Sequence, residues 1–189
     1  SLAAGPYGVL MPVFAKEILH GDASSLGLLL SSTGLGALAG ALFLAQRQGF
    51  RGLGRWIATS GTGLGIALIF FAYSRVFWLS NAILFPVGML MMIQMAGSNT
   101  LVQAMVPDAL RGRVMSVYSM VFIGMAPLGA LLAGALANAW GAPAAVASGG
   151  ALTCVATLIF WRQLPTMRTE ARQLIIAQQP EEAPTIATR

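Results

Sequence analysis

The sequence predicts an all-α membrane protein folded as a six-transmembrane-helix bundle. Of its 189 residues 57% are hydrophobic and 9% charged, with a mean hydropathy of +0.75. Residues 23–46, 56–74, 76–107 and 114–161 contain no Asp, Glu, Lys, Arg or His. Each run supplies about the 20 apolar residues that a helix rising ~1.5 Å per residue needs to cross ~30 Å of hydrocarbon. Soluble domains carry roughly 25% charged and about 45–50% apolar residues, so a water-soluble globular enzyme is close to excluded.

The first span, about 1–17, is short, carries Pro6 and Pro12, and reads as a chain entered in mid-helix; Lys16, Glu17, His20 and Asp22 close it. No basic n-region or cleavage site marks it as a signal peptide. The second span, about 24–46, ends at Gln46-Arg47-Gln48-Gly49-Phe50-Arg51, and the third, about 55–74, ends at the tight Tyr73-Ser74-Arg75 turn. The fourth, about 76–104, is long and contains Pro86, which predicts a tilt or kink. The uncharged run 114–161 is too long for one helix, and Asn138-Ala139-Trp140-Gly141-Ala142-Pro143 breaks it into a fifth span, about 114–138, and a sixth, about 142–162. The bundle therefore occupies 1–165. The tail 166–189 is expected to be cytoplasmic, with a short amphipathic helix at 166–178 and a disordered end near Pro180-Glu181-Glu182.

Charge sets the orientation. Arg47, Arg51, Arg55, Arg111, Arg113, Arg162, Arg168, Arg172 and Arg189 fall on one side and Lys16 and Arg75 on the other, nine against two. The positive-inside rule places the nine in the cytoplasm, and with them the C-terminus. A net charge of +5 and a pI near 10.4 reflect this punctuation rather than a phosphate-tracking patch, so no nucleic-acid partner is expected.

Chemistry-bearing clusters are missing from the sequence. Cys154 and His20 are each the single residue of their type, and the acids are Glu17, Asp22, Asp108, Glu170, Glu181 and Glu182. That set offers no nucleophile with its base, no paired carboxylates and no metal-ligand spacing, so neither enzyme activity nor a cofactor or metal is expected. Gly34-Leu35-Gly36-Ala37-Leu38-Ala39 matches the dinucleotide fingerprint, but no strand precedes it and no ribose-binding acid follows. Gly36 with Gly40, and Gly61, Gly63 and Gly65, fit small faces that let helices approach closely in lipid. Gly124, Pro127 and Gly129 predict either a kinked packing seam or a hinge between conformations. Gln94 with Ser98, and Asn99 with Gln103, are spaced to share helix faces, and their carboxamides should avoid lipid. They serve as interhelical glue or as part of a solute path. Met89, Met91, Met92 and Met95 add adaptable thioethers, although four such close positions cannot all face one pocket. Asp108 is expected as the N-cap of the fifth span, with Arg111 and Arg113 beside it.

Pro107-Asp108-Ala109-Leu110-Arg111-Gly112-Arg113-Val114-Met115-Ser116-Val117-Tyr118, preceded by Asn99 and Gln103, resembles the cytoplasmic turn and following helix of a branch of the major facilitator superfamily. That branch is the bacterial enterobactin-exporter-like, or transmembrane secretion effector, group. Pro12 with Phe14-Ala15, and Leu26-Gly27-Leu28 leading to Gly34, Gly36 and Gly40, fit the same branch, and the similarity covers about residues 5–165. The loop Gln46-Arg47-Gln48-Gly49 keeps the Arg-x-Gly of the superfamily loop signature but has Gln46 in place of its acid. Gly124-x-x-Pro127-x-Gly129 is similar to the Gly-Pro antiporter motif of the other half.

The resemblance implies the C-terminal six-helix half of a twelve-helix fold, whose partners are the N-terminal half, the lipid bilayer and a small-molecule substrate. In that fold the first and fourth spans line the cavity and the third and sixth face lipid. Tyr7, Met92, Gln94, Asn99 and Gln103 are then the cavity-lining candidates. Pro12, Gly36, Gly40, Pro86, Gly124, Pro127 and Gly129 are the hinge or packing residues, and Arg47, Asp108, Arg111 and Arg113 the cytoplasmic gate. The activity implied is secondary active efflux of a drug-like or amphipathic molecule or a siderophore at the bacterial inner membrane. Lipid translocation, solute import and a non-transporting scaffold are the alternatives.

Overall fold

The computed structural model describes residues 1–46 and 52–177. Its helices are α1 (Tyr7–Val13), α2 (Ala23–Ala45), α3 (Leu53–Tyr73), α4 (Phe77–Met105), α5 (Asp108–Trp140) and α6 (Ala142–Ala177), and a π-helical turn, Phe14–Ile18, continues α1. No strand occurs among the described residues. Arg47 and the expected disordered end lie outside them.

Five helices are long and apolar enough to cross a membrane: α2, α3, α4, α5 and the Ala142–Leu164 part of α6. The expected first span falls short. Its seven α-helical and five π-helical residues reach about 18 Å at ~1.5 Å per residue, well under a bilayer core. α4 and α5 each continue as one helix through Pro86 and Pro127.

The helix ends follow from local chemistry. Asp22 caps α2, accepting from the Ser25 amide at 2.9 Å and from the Ser24 and Ser25 hydroxyls at 2.7 and 3.0 Å. Gly141 alone separates α5 from α6, at φ 86° and ψ 155°, a conformation essentially restricted to glycine. Gly52 opens α3 in the left-handed region, φ 81°. The extended Val106-Pro107 pair stops α4, since proline and its predecessor both disfavour helix. Asp108 is not the N-cap of α5. Pro107 holds that place, because its fixed φ pre-sets the turn, and Asp108 becomes the first helical residue.

Packing runs in the order α2, α4, α3, α6, α5, with α1 laid against α5 and α6. Two glycine seams hold the first four helices. On the α2–α4 seam a Cβ at Gly36 would run into the Phe85 carbonyl, one at Gly88 into the Thr33 carbonyl, and one at Gly40 would lie 2.5 Å from the Met89 oxygen. On the α3–α6 seam Gly65 meets Gly150 and Cys154, and Gly61 meets Thr157. Above these seams Phe14 stacks on Phe71, centroids 4.7 Å apart, both fully buried. α3 presents one narrow face outward. Held between α4 and α6, it is the most enclosed span and leaves mainly Thr59, Ile66, Phe70 and Tyr73 outside.

Two predictions follow from these contacts. Gly36→Ala or Gly88→Ala should destabilise the bundle by about 1–3 kcal/mol, because backbone cannot yield as a side chain can. Gly34→Ala, with open space around it, should change stability by no more than about 0.5 kcal/mol. Denaturant titration of the detergent-solubilised chain separates the two classes; equal losses for Gly34 and Gly36 would contradict the seam. The second concerns Asp22, whose carboxyl is drawn from its ordinary value of 3.8 down to about 2 by the Ser24 hydroxyl and by the Ser25 amide and hydroxyl. Its folded value lies below the unfolded one, so its stabilising effect is complete above about pH 4 and disappears as pH falls toward 2. Asp22→Ala should therefore melt earlier than the parent at pH 7, and the gap should close in that acid window.

Candidate functional site

The polar residues of the apolar helices sort into two kinds of position. Gln94 is turned into the bundle: the Ser60 hydroxyl, on α3, donates to its Oε1 at 3.2 Å, and Gly61 clears the space beneath it. Thr157 of α6 closes the same junction, donating to the Thr153 carbonyl at 2.6 Å. Small residues at Ser60 and Gly61 allow a long carboxamide to reach between three helices, as a polar group in an apolar span requires. Tyr7 is likewise enclosed, buried in α1.

Asn99 and Gln103 occupy the second kind of position. The Gln103 Nε2 donates to the Asn99 Oδ1 at 2.8 Å along the exposed side of α4, one turn apart. Gln103 is exposed and Asn99 half-buried, and Met92, half-buried, lies two turns back from Asn99 on the same helix. Of the five cavity-lining candidates the structure thus joins Asn99 to Gln103, while Tyr7 and Gln94 are engaged in helix–helix contacts.

The hinge and packing residues divide in the same way. Gly36 and Gly40 lie in the α2–α4 seam, and Gly129 of α5 lies beneath Leu2 and Pro6. Gly124 has nothing within 4 Å, and Pro127 is exposed on the same helix. Pro12 is exposed immediately before the π-helical turn, and Pro86 is half-buried within α4. At the start of α5, Arg111 pairs with Asp108 of its own helix, both well exposed, and Arg113 is exposed beyond them.

Ser60 and Thr157 were not singled out from the sequence, and neither was the Ser80 hydroxyl, which donates to Ser74 at 2.8 Å in the buried α3–α4 corner. Serine and threonine are common in apolar helices and usually return their hydroxyl to their own backbone, as Thr157 does to Thr153 and as Ser60 also does to Ile57 at 3.1 Å, so composition does not separate those that also meet a neighbouring helix. Asn81 Oδ1 is buried without a hydrogen-bond partner, while its backbone carbonyl accepts from Ser32 of α2 at 2.7 Å. Among the described residues no group of three His, Cys, Asp or Glu side chains is placed to hold a metal ion.

A multi-pass helical membrane protein is the class these features define. The family model described as transmembrane secretion effector, a major facilitator-type family, matches residues 1–188, and the chain belongs to that family. It is a family of transporters rather than a class of enzymes. No curated protein and no solved structure matches the chain.

The Ser60–Gln94 tie can be weighed directly. A double-mutant cycle with Ser60→Ala and Gln94→Leu should return a coupling near 0.6 kcal/mol and no more than about 1.7 kcal/mol, the range of hydrogen bonds between membrane helices. A coupling indistinguishable from zero would show that the two residues act independently.

Proposed function

We propose that the chain is the C-terminal six-helix half of a secondary active exporter. Its substrate is a small amphipathic molecule, drug-like or a siderophore, moved outward across a bacterial inner membrane by alternating access. One observation carries this reading. Glycines that meet another helix are packed against backbone or side chains, yet Gly27 and Gly34 of α2 and Gly124 and Gly134 of α5 have nothing within 4 Å. Glycine in a helix interior costs roughly 0.5–1 kcal/mol relative to alanine. Open glycines on two nearly bare helices are therefore positions at which a second helical body can approach. An N-terminal six-helix half is that body, and the Asn99–Gln103 pair then faces the cleft between halves rather than hydrocarbon.

The nine-to-two basic asymmetry supports an orientation with residues 46–52, the 106–107 turn and the C-terminus in the cytoplasm. On that orientation the Asp108–Arg111 pair and Arg113 lie at the cytoplasmic mouth. Apart from Asp108, the first residue of α5, no acid of the described residues falls within the five apolar spans, so the proton- or ion-coupling carboxylate belongs to the other half.

The reading is tested with the full-length carrier in a Cys154→Ala background. Single cysteines at Gly34 and Gly124 should cross-link to helices of the N-terminal half, and imposing an ion gradient in proteoliposomes should change the yield at least twofold. Asn99→Leu and Gln103→Leu should each lower gradient-driven efflux at least fivefold at unchanged membrane level. Cross-links confined to lipid or to a second copy, or full efflux by both leucine variants, would contradict it.

A further inference from the structure

The segment leading into α1 meets α5 and α6 through backbone on glycine: the Leu2 carbonyl lies over Gly129 and the Ala3 carbonyl over Gly149. Next to these contacts the three helices do not close. A cavity of about 180 Å³ remains between them, its floor made by Leu10, Leu68, Ala133 and Val146, all buried. Its rim includes Leu132 of α5 and Leu152 of α6, which are 55% and 51% exposed, so the cavity opens outward between those two helices.

The lining sets the chemistry of any occupant. Two side chains in it carry hydroxyls, Tyr7 and Ser148, and Ser148 already donates to the Ala145 carbonyl at 2.9 Å. A water needs two to four polar partners, and apolar cavities of ~150 Å³ stay dry and take up a benzene-sized hydrocarbon instead. The rim continues along α6 into the apolar outer surface formed by Leu152, Val155 and Ile159, each more than half exposed. In a membrane that surface is bathed in lipid tails.

We propose that this cavity is a hydrocarbon-chain site, filled by an acyl chain of a bilayer phospholipid entering between Leu132 and Leu152. The chain wedges the α1–α5–α6 junction and holds the segment before α1 against its two glycine contacts. The proposal requires the bundle to lie in a bilayer and is independent of what the protein transports.

The test uses the full-length protein in nanodiscs containing a phospholipid with a photoactivatable diazirine near the end of one acyl chain, with adducts mapped by mass spectrometry. Adducts should concentrate on peptides 129–136 and 145–152, at least fivefold above the lipid-facing α3 surface around Ile66 and Phe70. Ala133→Leu, which fills the floor, should reduce them at least fivefold while leaving the α3 adducts unchanged. Ser148→Leu, at the exposed rim and unable to disturb the core, should reduce them in the same direction. A lipid carrying the diazirine in its headgroup should not label the floor. Labelling no greater than on α3, labelling unchanged in both variants, or equal labelling by the headgroup probe would each overturn the proposal.

Discussion

In hydrocarbon, two apolar helix faces gain little by leaving lipid for each other, so association depends on how closely their backbones approach and on the few hydrogen bonds that cross between them. The bundle rests on that constraint at two seams. Gly36, Gly40 and Gly88 bring α2 onto α4, and Gly61, Gly65 and Gly150 bring α3 onto α6. Where backbone meets backbone there is no side chain to rearrange, and close-packed interfaces resist continuous deformation. The four helices α2, α4, α3 and α6 therefore form one layer, and the Ser60–Gln94 bond lies at the junction of three of them.

α5 stands outside this layer. It touches α6 and α1 but is the least enclosed of the five spans, and Gly124 and Pro127 lie on its uncovered part. Apart from the Ile123 carbonyl, which Pro127 leaves without its amide, a helix bare to this degree satisfies its interior backbone within itself in lipid. What it lacks is neighbours for its small residues. A firm layer beside an uncovered helix provides both a stable frame and a surface free to meet another body.

Much of the fold was legible in the sequence because charge-free runs of span length are imposed by the bilayer itself. The break at Gly141 was legible for a comparable reason: few residues other than glycine adopt its backbone angles. The π-helical turn after α1 was not legible, since Pro6 and Pro12 mark disturbance without specifying its form. The displacement of Asp108 from the N-cap by Pro107 was missed because both residues favour helix starts. For the site, spacing paired Asn99 with Gln103 correctly as a shared face. Spacing could not separate that pair from Gln94, whose direction depends on Ser60 and Gly61 of a different helix. Polar residues within one span look alike until the partner helix is in place.

The measurement closest to the central claim is the distance across the layer in a bilayer. Spin labels at Leu35 of α2 and Ile159 of α6, both on exposed faces, can be read by double electron–electron resonance in the full-length protein with and without an imposed ion gradient. A layer locked by glycine seams predicts one narrow distance distribution that is the same under both conditions. Two resolved distances, or a shift in the mean between conditions, would mean that the seams slide and that α2, α4, α3 and α6 do not move as one body.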